Sequence, residues 1–336
     1  MQIVHFERQP TPGQHSVERV FAAVRGALPS EWQVKVVHCP NPRHSFLWLP
    51  QGVARAWAKR GEVNHIVGDV HYASLGLPGS RCILTILDLN RLDQLKGLRS
   101  TLYRWLYFSI PLRRCAVITA ISEETRDRIA EAFPFAADRV VVIPCPVLEG
   151  YMSRPKPFNA SYPRILQVGT APHKNVDRLV QAICGLPCKL HLIGRLDNEQ
   201  RRLLERSQVD YENSLNISDA EMLQAYDESD IVAFVSLAEG FGMPIIEAQA
   251  MGRPVITSSL SPMKEVAGAG ALTVDPYDVS AIRNVVHDVI EDATARQRAT
   301  AAGLENAKRF TAKTVAGQYA RLYQRVATCT GKDLTT

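Results

Sequence analysis

An α/β protein of two facing Rossmann-like domains, each a parallel doubly wound sheet, with a cleft between them, is the fold this sequence predicts. Three observations predict it. The 336 residues exceed what one hydrophobic core usually supports. Short apolar runs alternate with helix-length amphipathic segments through both halves, the pattern of β-α-β units on a parallel sheet. Five prolines between Ile143 and Arg164 (Pro144, Pro146, Pro155, Pro157, Pro163) interrupt that alternation, in a stretch that continues neither a helix nor a central strand. The expected division is a first domain over 1–148, a linker over 149–163, a second domain over 164–310, and a helix over 311–328 that is a candidate to pack back on the first domain.

In the first domain, Met1 to Phe6 reads as a strand and Arg8 to Ser16, with Pro10, Pro12 and Gly13, as a loop. Val17, Val20, Phe21 and Val24 form the apolar stripe of a helix over Val17 to Leu28. Trp32 to Val37, Val63 to Val67, Arg81 to Leu87, Ala116 to Ala120 and Arg139 to Ile143 read as further strands, and Ala54 to Lys59 as part of a helix. Ser122 is placed to cap a helix whose first turns hold Thr125 and Arg126. In the second domain, strands are expected at Ile165 to Val168, Leu190 to Ile193, Ile231 to Val235, Val255 to Thr257 and Ala271 to Val274. Helices are expected at Val176 to Ile183, Glu199 to Arg206, Ala220 to Tyr226, Pro244 to Met251 and Val279 to Glu291. Ser218 and Glu221 have capping-box spacing. Helical sequence continues from about Ala295 to Arg325.

A composition 46% hydrophobic and 22% charged is that of an ordinary soluble globular chain and excludes a disordered class. The net charge of +5 belongs to residues 1–150, with 18 Lys/Arg against 13 Asp/Glu, while the remainder holds 21 of each. Seven cysteines (Cys39, Cys82, Cys115, Cys145, Cys184, Cys188, Cys329), odd in number and irregular in spacing, fit reduced thiols better than a disulfide framework. Cys184 and Cys188 lack a second pair to complete a zinc site and read as small buried apolar side chains. Glu7 and Arg8 stand where a signal peptide would be apolar, and no apolar window is long enough to span a bilayer, so the expected location is cytoplasmic.

The chemistry concentrates in Ser236 to Ser259, SLAEGFGMPIIEAQAMGRPVITSS. A buried-type strand runs into a glycine turn, Pro244 suits the first turn of a helix, and a second strand follows. Such a turn lies at the carboxyl end of a strand, where ligands bind in open α/β sheets. Gly240 and Gly242 keep it free of bulk, so the first helical amides can meet an anion at the positive end of the helix dipole. Glu247 falls about one turn inside the helix and Glu239 on the strand side, which makes the turn a site for a phosphorylated ligand. At Val168 to Asn175, VGTAPHKN, the small residues Gly169 and Thr170 lead from a strand to Lys174 at a helix start. A lysine here is either solvated or a point charge for phosphate, and its place after the first strand of a domain favours the second.

Together, EGFGMPIIEAQAMGRPVI with its Glu239 and Glu247, VGTAPHKN, and SSLSPMKEVAGAGALTVDP resemble the nucleotide-sugar domain of glycosyltransferase family 4, retaining enzymes of GT-B fold. The resemblance is looser in the first half, through ITAISEETRDRI at Ile118 to Ile129 and VVVIPCPV at Val140 to Val147. It implies that Glu247 binds the donor ribose, that Lys174, Gly169, Thr170 and the amides of Gly240, Phe241, Gly242 and Met243 hold the diphosphate, and that Glu239 lies against the donor sugar. Glu265 aligns with a family glutamate near the nucleotide, with a plain helix-start role as the alternative. The reaction implied is transfer of a sugar from a nucleoside diphosphate to a hydroxyl, without a covalent enzyme nucleophile. No metal or further cofactor is implied, and a GDP-sugar is placed ahead of a UDP-sugar. The alternatives are a nucleotide-sugar binding or regulatory protein without turnover, and a nucleotide-sugar epimerase.

Three positions depart from the family pattern. Asp88 is kept, but Leu87 stands where relatives carry His; His173 stands where related turns carry Arg; and Gly13 is single where many members have a pair. His71, in Gly68-Asp-Val-His-Tyr72, is either a catalytic substitute for the missing histidine or a hydrogen-bonded loop residue. Arg91 to Arg114, RLDQLKGLRSTLYRWLYFSIPLRR, carries Arg91, Lys96, Arg99, Arg104, Arg113 and Arg114 against Asp93, with Tyr103, Trp105, Tyr107 and Phe108 interleaved. It is either a peripheral contact for anionic lipid or a lipid-linked acceptor on the inner face of the membrane, or a domain helix with aromatics inside and arginines in water. No recognition motif accompanies the charge, so nucleic acid is not an expected partner.

Overall fold

The computed structural model describes residues 1–9, 16–40, 49–89, 92 and 97–328. Two compact units account for the chain, one formed by Met1–Pro146 with Ala312–Thr336 and the other by Val147–Thr311.

The first unit runs β1 (Gln2–Arg8), α1 (Ser16–Gly26), β2 (Gln33–Cys39), α2 (Leu49–Lys59), β3 (Val63–Ile66), β4 (Cys82–Ile86) and α3 (Leu98–Tyr103). A π-helical turn over Arg104–Ser109 leads into α4 (Ile110–Arg114), followed by β5 (Val117–Ala120), α5 (Glu123–Ala132) and β6 (Val140–Val142). All strands are parallel in the order β2-β1-β3-β4-β5-β6. Ser122 caps α5 by accepting from the Thr125 amide at 3.1 Å, as its spacing predicts.

The second unit runs β7 (Arg164–Val168), α6 (Val176–Ile183), β8 (Lys189–Ile193), α7 (Asn198–Ser207), β9 (Asp210–Ser214), α8 (Asp219–Glu228) and β10 (Ile231–Phe234). Then come α9 (Met243–Ala250), β11 (Val255–Ser258), α10 (Met263–Ala267), β12 (Leu272–Val274), α11 (Val279–Glu291) and α12 (Ala293–Ala307). This sheet is also parallel, in the order β12-β11-β10-β7-β8-β9. The burial of α6 follows its sequence period: Val176, Leu179, Val180 and Ile183 lie on one stripe and are all in the core. The Ser218–Glu221 capping box starts α8.

Two features differ from the sequence reading. β9 has no apolar run to announce it, because it is an edge strand of sequence DYENS paired on one side only, with β8. The helical sequence from Ala295 to Arg325 is two helices, interrupted by a tight turn over Lys308–Phe310; the second, α13 (Ala312–Thr328), belongs to the first unit. Of the two cysteines read as buried, Cys188 is buried and Cys184 is exposed.

α13 covers a polar row that crosses the first sheet. Arg25 can only donate, so the Nδ1 atom of His5 accepts from it at 3.3 Å, and the neutral ring then donates from Nε2 to the Tyr323 hydroxyl at 3.0 Å. Tyr323 passes its proton to His65 Nδ1 at 2.8 Å, and His65 Nε2 donates to Thr85 at 2.7 Å, which meets Thr119 at 2.6 Å. Burial holds both imidazoles below their ordinary pKa, His65 at about 3, so the row is neutral and each member has a partner.

Candidate functional site

In the second sheet β7 and β10 are neighbours, but the chain leaves β7 toward β8 and leaves β10 toward β11, on opposite sides. The loops at their carboxyl ends therefore diverge and open a crevice, the ligand position of open α/β sheets. The loop after β7 starts at Gly169, whose φ of +89° favours glycine and against which the Lys174 side chain lies. Thr170 is fixed by donating to the Arg195 carbonyl at 2.7 Å, and Gln200 donates to the Thr170 carbonyl at 2.8 Å. Lys174 closes a short turn over Pro172–Lys174.

The loop after β10 brings Glu239 to it. Lys174 Nζ donates to Glu239 Oε1 at 2.6 Å and lies 4.5 Å from the centre of the Phe234 ring. Three hydrogen bonds to backbone carbonyls set this meeting. Asn175 Nδ2 donates to the Val235 carbonyl at 3.0 Å and to the Pro276 carbonyl at 2.7 Å, and the Leu237 amide donates to the His173 carbonyl at 2.8 Å. Asn175 holds a left-handed backbone, φ +60°, which asparagine tolerates better than most side chains. The His173 imidazole is exposed at the turn; its pKa is lowered by partial burial and by Lys174, against the opposing pull of Glu239.

Beyond Glu239, Gly240 and Gly242 carry the chain into α9, with Gly242 at φ +106° in the cap position. The Phe241 ring is buried edge-on against Phe310, 5.8 Å between centroids, so this residue anchors the turn through its side chain and leaves its backbone for a ligand. The helix opens with the Met243 amide and Pro244, which has no N–H to satisfy. Glu247 is buried on the same helix, its Oε2 accepting from the Tyr226 hydroxyl at 2.7 Å. Burial, then the Glu247 charge, push the Tyr226 pKa up and keep its hydroxyl a donor. The start of α9, a lysine and two oriented carboxylates, Glu239 in a loop and Glu247 on the helix, thus meet at one crevice. Glu265 is exposed and accepts from Ser261 at 2.9 Å in the short α10.

The first unit holds the other expected residues at the carboxyl ends of β3 and β4. His71 is buried in a short turn after β3, and Asp88 is exposed two residues past β4. Pro111 carries no N–H to return four residues back, and the Tyr107 carbonyl accepts from His71 Nδ1 at 2.8 Å. A carbonyl only accepts, so Nδ1 bears the proton and Nε2 the lone pair. Burial lowers the His71 pKa, while Asp69, the Tyr107 carbonyl and Asp88 oppose it. Leu87 is half-buried beside Asp88. Gly13, Arg91, Asp93 and Lys96 lie outside the described residues.

Three residues of these sites carry little sequence signal of their own. Asn175 and Tyr226 act through partners dozens of positions away. Arg8, at the end of β1, donates to Glu18 at 2.7 Å and lies 3.5 Å from Asp69, at the corresponding switch point of the first sheet. A charged residue ending an apolar strand is the one hint available for it.

Two family models divide the chain between them: "Glycosyltransferase Family 4" matches residues 3–148 and "Glycosyl transferases group 1" matches residues 152–306. The chain belongs to the family 4 glycosyltransferases of GT-B fold. This glycosyltransferase is 27% identical over 301 residues to the O-antigen chain mannosyltransferase B of Escherichia coli, covering 80% of this chain and 77% of that one. It is 30% identical over 191 residues to the phosphatidyl-myo-inositol mannosyltransferase of Mycobacterium leprae, with 52% and 51% covered. Among solved structures, Anabaena HepE in complex with UDP-glucose superposes with a TM-score of 0.77 at 16% identity, covering 96% of this chain and 99% of that one, a likeness of fold. Among the described residues of the glycosyltransferase, no helix is long and apolar enough to cross a membrane.

Proposed function

We propose that this glycosyltransferase is a retaining enzyme that moves a mannosyl group from a GDP-activated donor to a hydroxyl of a glycan or lipid-linked acceptor. The observation that carries the reading is the crevice between the β7 and β10 loops, where Lys174, Glu239, the start of α9 and Glu247 converge. Lys174 and the amides of Gly240, Phe241, Gly242 and Met243, with Gly169 and Thr170 shaping the loop, take the diphosphate; Glu247 takes the ribose hydroxyls; Glu239 lies against the sugar. The names of the mannosyltransferase relatives support the sugar, and with it a guanosine diphosphate carrier.

In the proposed reaction, the bond from the anomeric carbon to the leaving phosphate oxygen breaks while the acceptor oxygen bonds to the same face of that carbon. The acceptor proton passes to the departing phosphate. Lys174 and the loop amides stabilise the charge that grows there, and one such donor is worth about 2.7–4 kcal/mol in other enzymes. His71 Nε2 and Asp88 are the proposed acceptor-side groups. A lipid-linked acceptor would bring the enzyme to the cytoplasmic face of a membrane.

Thermal denaturation with GDP, UDP and deoxythymidine diphosphate tests the donor, because a ligand of the native state raises its melting temperature. GDP is expected to give the largest shift. Incubation with GDP-mannose and extracted acceptors, followed by NMR of the product anomeric proton, tests the transfer. A larger shift with UDP overturns the carrier, and an inverted anomer overturns retention.

A further inference from the structure

The described residues of the Arg91–Arg114 segment divide their side chains between core and surface. Tyr107, Phe108 and Leu112 are buried in the core of the first unit, but Leu102 and Trp105 stand 55% and 56% exposed. The wide π-helical turn over Arg104–Ser109 lies between α3 and α4 and carries both the inward Tyr107 and Phe108 and the outward Arg104 and Trp105. Beside them Phe135 is 42% exposed. Arg104 lies 4.6 Å over the Phe133 ring, Phe133 packs edge-on against Phe135 at 6.0 Å, and Arg113 lies 3.9 Å over Phe135, which makes the patch continuous. Among the described residues none of Arg104, Arg113 and Arg114 is paired with a carboxylate. Arg104 donates to the Ala132 carbonyl, and Arg114 to the carbonyls of Ser74 and Leu77 at 3.1 and 3.3 Å.

Next to the patch a cavity of about 330 Å³ is lined by Leu89, Leu92, Ser100, Arg104, Arg128 and Glu131. Arg104 belongs to both. Two guanidiniums and a hydroxyl on its wall suit a phosphodiester, with Glu131 the single acidic group in the lining.

We propose that Leu102, Trp105, Phe135, Arg104 and Arg113 form a docking face for an anionic phospholipid bilayer, with the adjoining cavity admitting one lipid phosphate. Exposed indole and leucine side chains enter the boundary between headgroups and acyl chains, and the guanidiniums meet the negative surface. The paired alternative, a helix that only covers its own core, does not place Leu102 and Trp105 in water. The face is independent of the donor reading, because none of its residues lies in the second unit.

The test is flotation of the full chain with unilamellar vesicles of phosphatidylcholine alone and of phosphatidylcholine with phosphatidylglycerol. The protein is expected to float with the anionic vesicles, to stay behind with the neutral ones, and to be released in 1 M salt, where the screening length falls to about 3 Å. Arg113→Glu and Trp105→Ala alter exposed side chains; the first reverses a charge and is expected to lower partitioning about thirtyfold, the effect of about two charges near an anionic surface, and the second about fivefold or more by removing apolar surface from the interface. Both variants should keep the melting-temperature shift given by GDP. Flotation equal for both vesicle types, no flotation, or flotation unchanged in both variants overturns the docking face. If either variant lowers the melting temperature of the free protein, the salt and lipid-composition series on the wild type decides.

Discussion

The contact between Lys174 and Glu239 makes an unusual demand on the nucleotide site: the cation proposed to receive the diphosphate is already held by an anion at 2.6 Å. The side chains are 17% and 12% exposed, so the pair is neither free in water nor sealed. Exposed pairs are worth about 0.2–1 kcal/mol, and removing one partner of a fully buried pair costs about 3–5 kcal/mol. This one falls between, at about 1–2 kcal/mol, which a diphosphate must recover before it engages the lysine. Glu239→Gln removes the competitor and also a negative charge beside the phosphates, while keeping shape and hydrogen-bonding capacity. GDP affinity, measured by calorimetry, is expected to rise about fivefold to thirtyfold, following from about 1–2 kcal/mol. Transfer is expected to fall, since the carboxylate proposed to hold the sugar is gone. Lys174→Ala should do the reverse to affinity and slow transfer by about two orders of magnitude or more. Weaker GDP binding in Glu239→Gln than in the wild type would show that the carboxylate assists the nucleotide and would refute the competition.

Asn175→Ala loses three hydrogen bonds, to the Val235 and Pro276 carbonyls and from Arg178, and leaves a β-carbon in left-handed backbone; it should destabilise the second unit by about 2–3 kcal/mol in urea unfolding. Asn175→Gly should recover about 1 kcal/mol of that by relieving the backbone alone, with transfer still impaired, and equal stability of the two would discount the strain. Tyr226→Phe unties Glu247 and should raise the donor KM more than it lowers kcat; an unchanged KM in initial-rate assays contradicts the ribose assignment. The polar row of the first unit sets a pH dependence. His65 has a folded pKa of about 3 against 6.5 when exposed, so the unfolded state binds the extra proton. Its contribution is complete above pH 6.5 and is lost as pH falls toward 3, amounting to about 2 kcal/mol at pH 5. His5 and His71 shift in the same direction. Unfolding midpoints at pH 7.5 and 5 should differ, and the difference should shrink in His65→Gln; an unchanged slope there excludes His65 as the titrating group.

Much of this was legible in sequence because burial on both faces of a parallel sheet imposes continuous apolar runs. Ile231–Phe234 and Val255–Ser258 are buried at every position, and both strands show as apolar runs in the sequence. Gly169 and Gly242 were legible for a related reason, since positive φ leaves few residue choices. What stayed hidden was pairing across the chain. β9 is polar because it is an edge, and the hold of Tyr226 on Glu247 joins α8 to α9 through atoms whose positions depend on the finished packing. The sequence allows His71 two readings, and the structure adds the reason its tautomer is fixed: a carbonyl released by Pro111.

The return of α13 to the first unit bears on how the chain is made. β1, β3 and β4 precede the whole of the second unit in the chain, yet the hydroxyl that joins His5 to His65 arrives on Tyr323, after it. Until then, the nascent first unit has its polar row open on one side while the second unit, whose residues 147–311 are contiguous, can fold as soon as it emerges. The unit that starts before the other in the chain is thus completed after it.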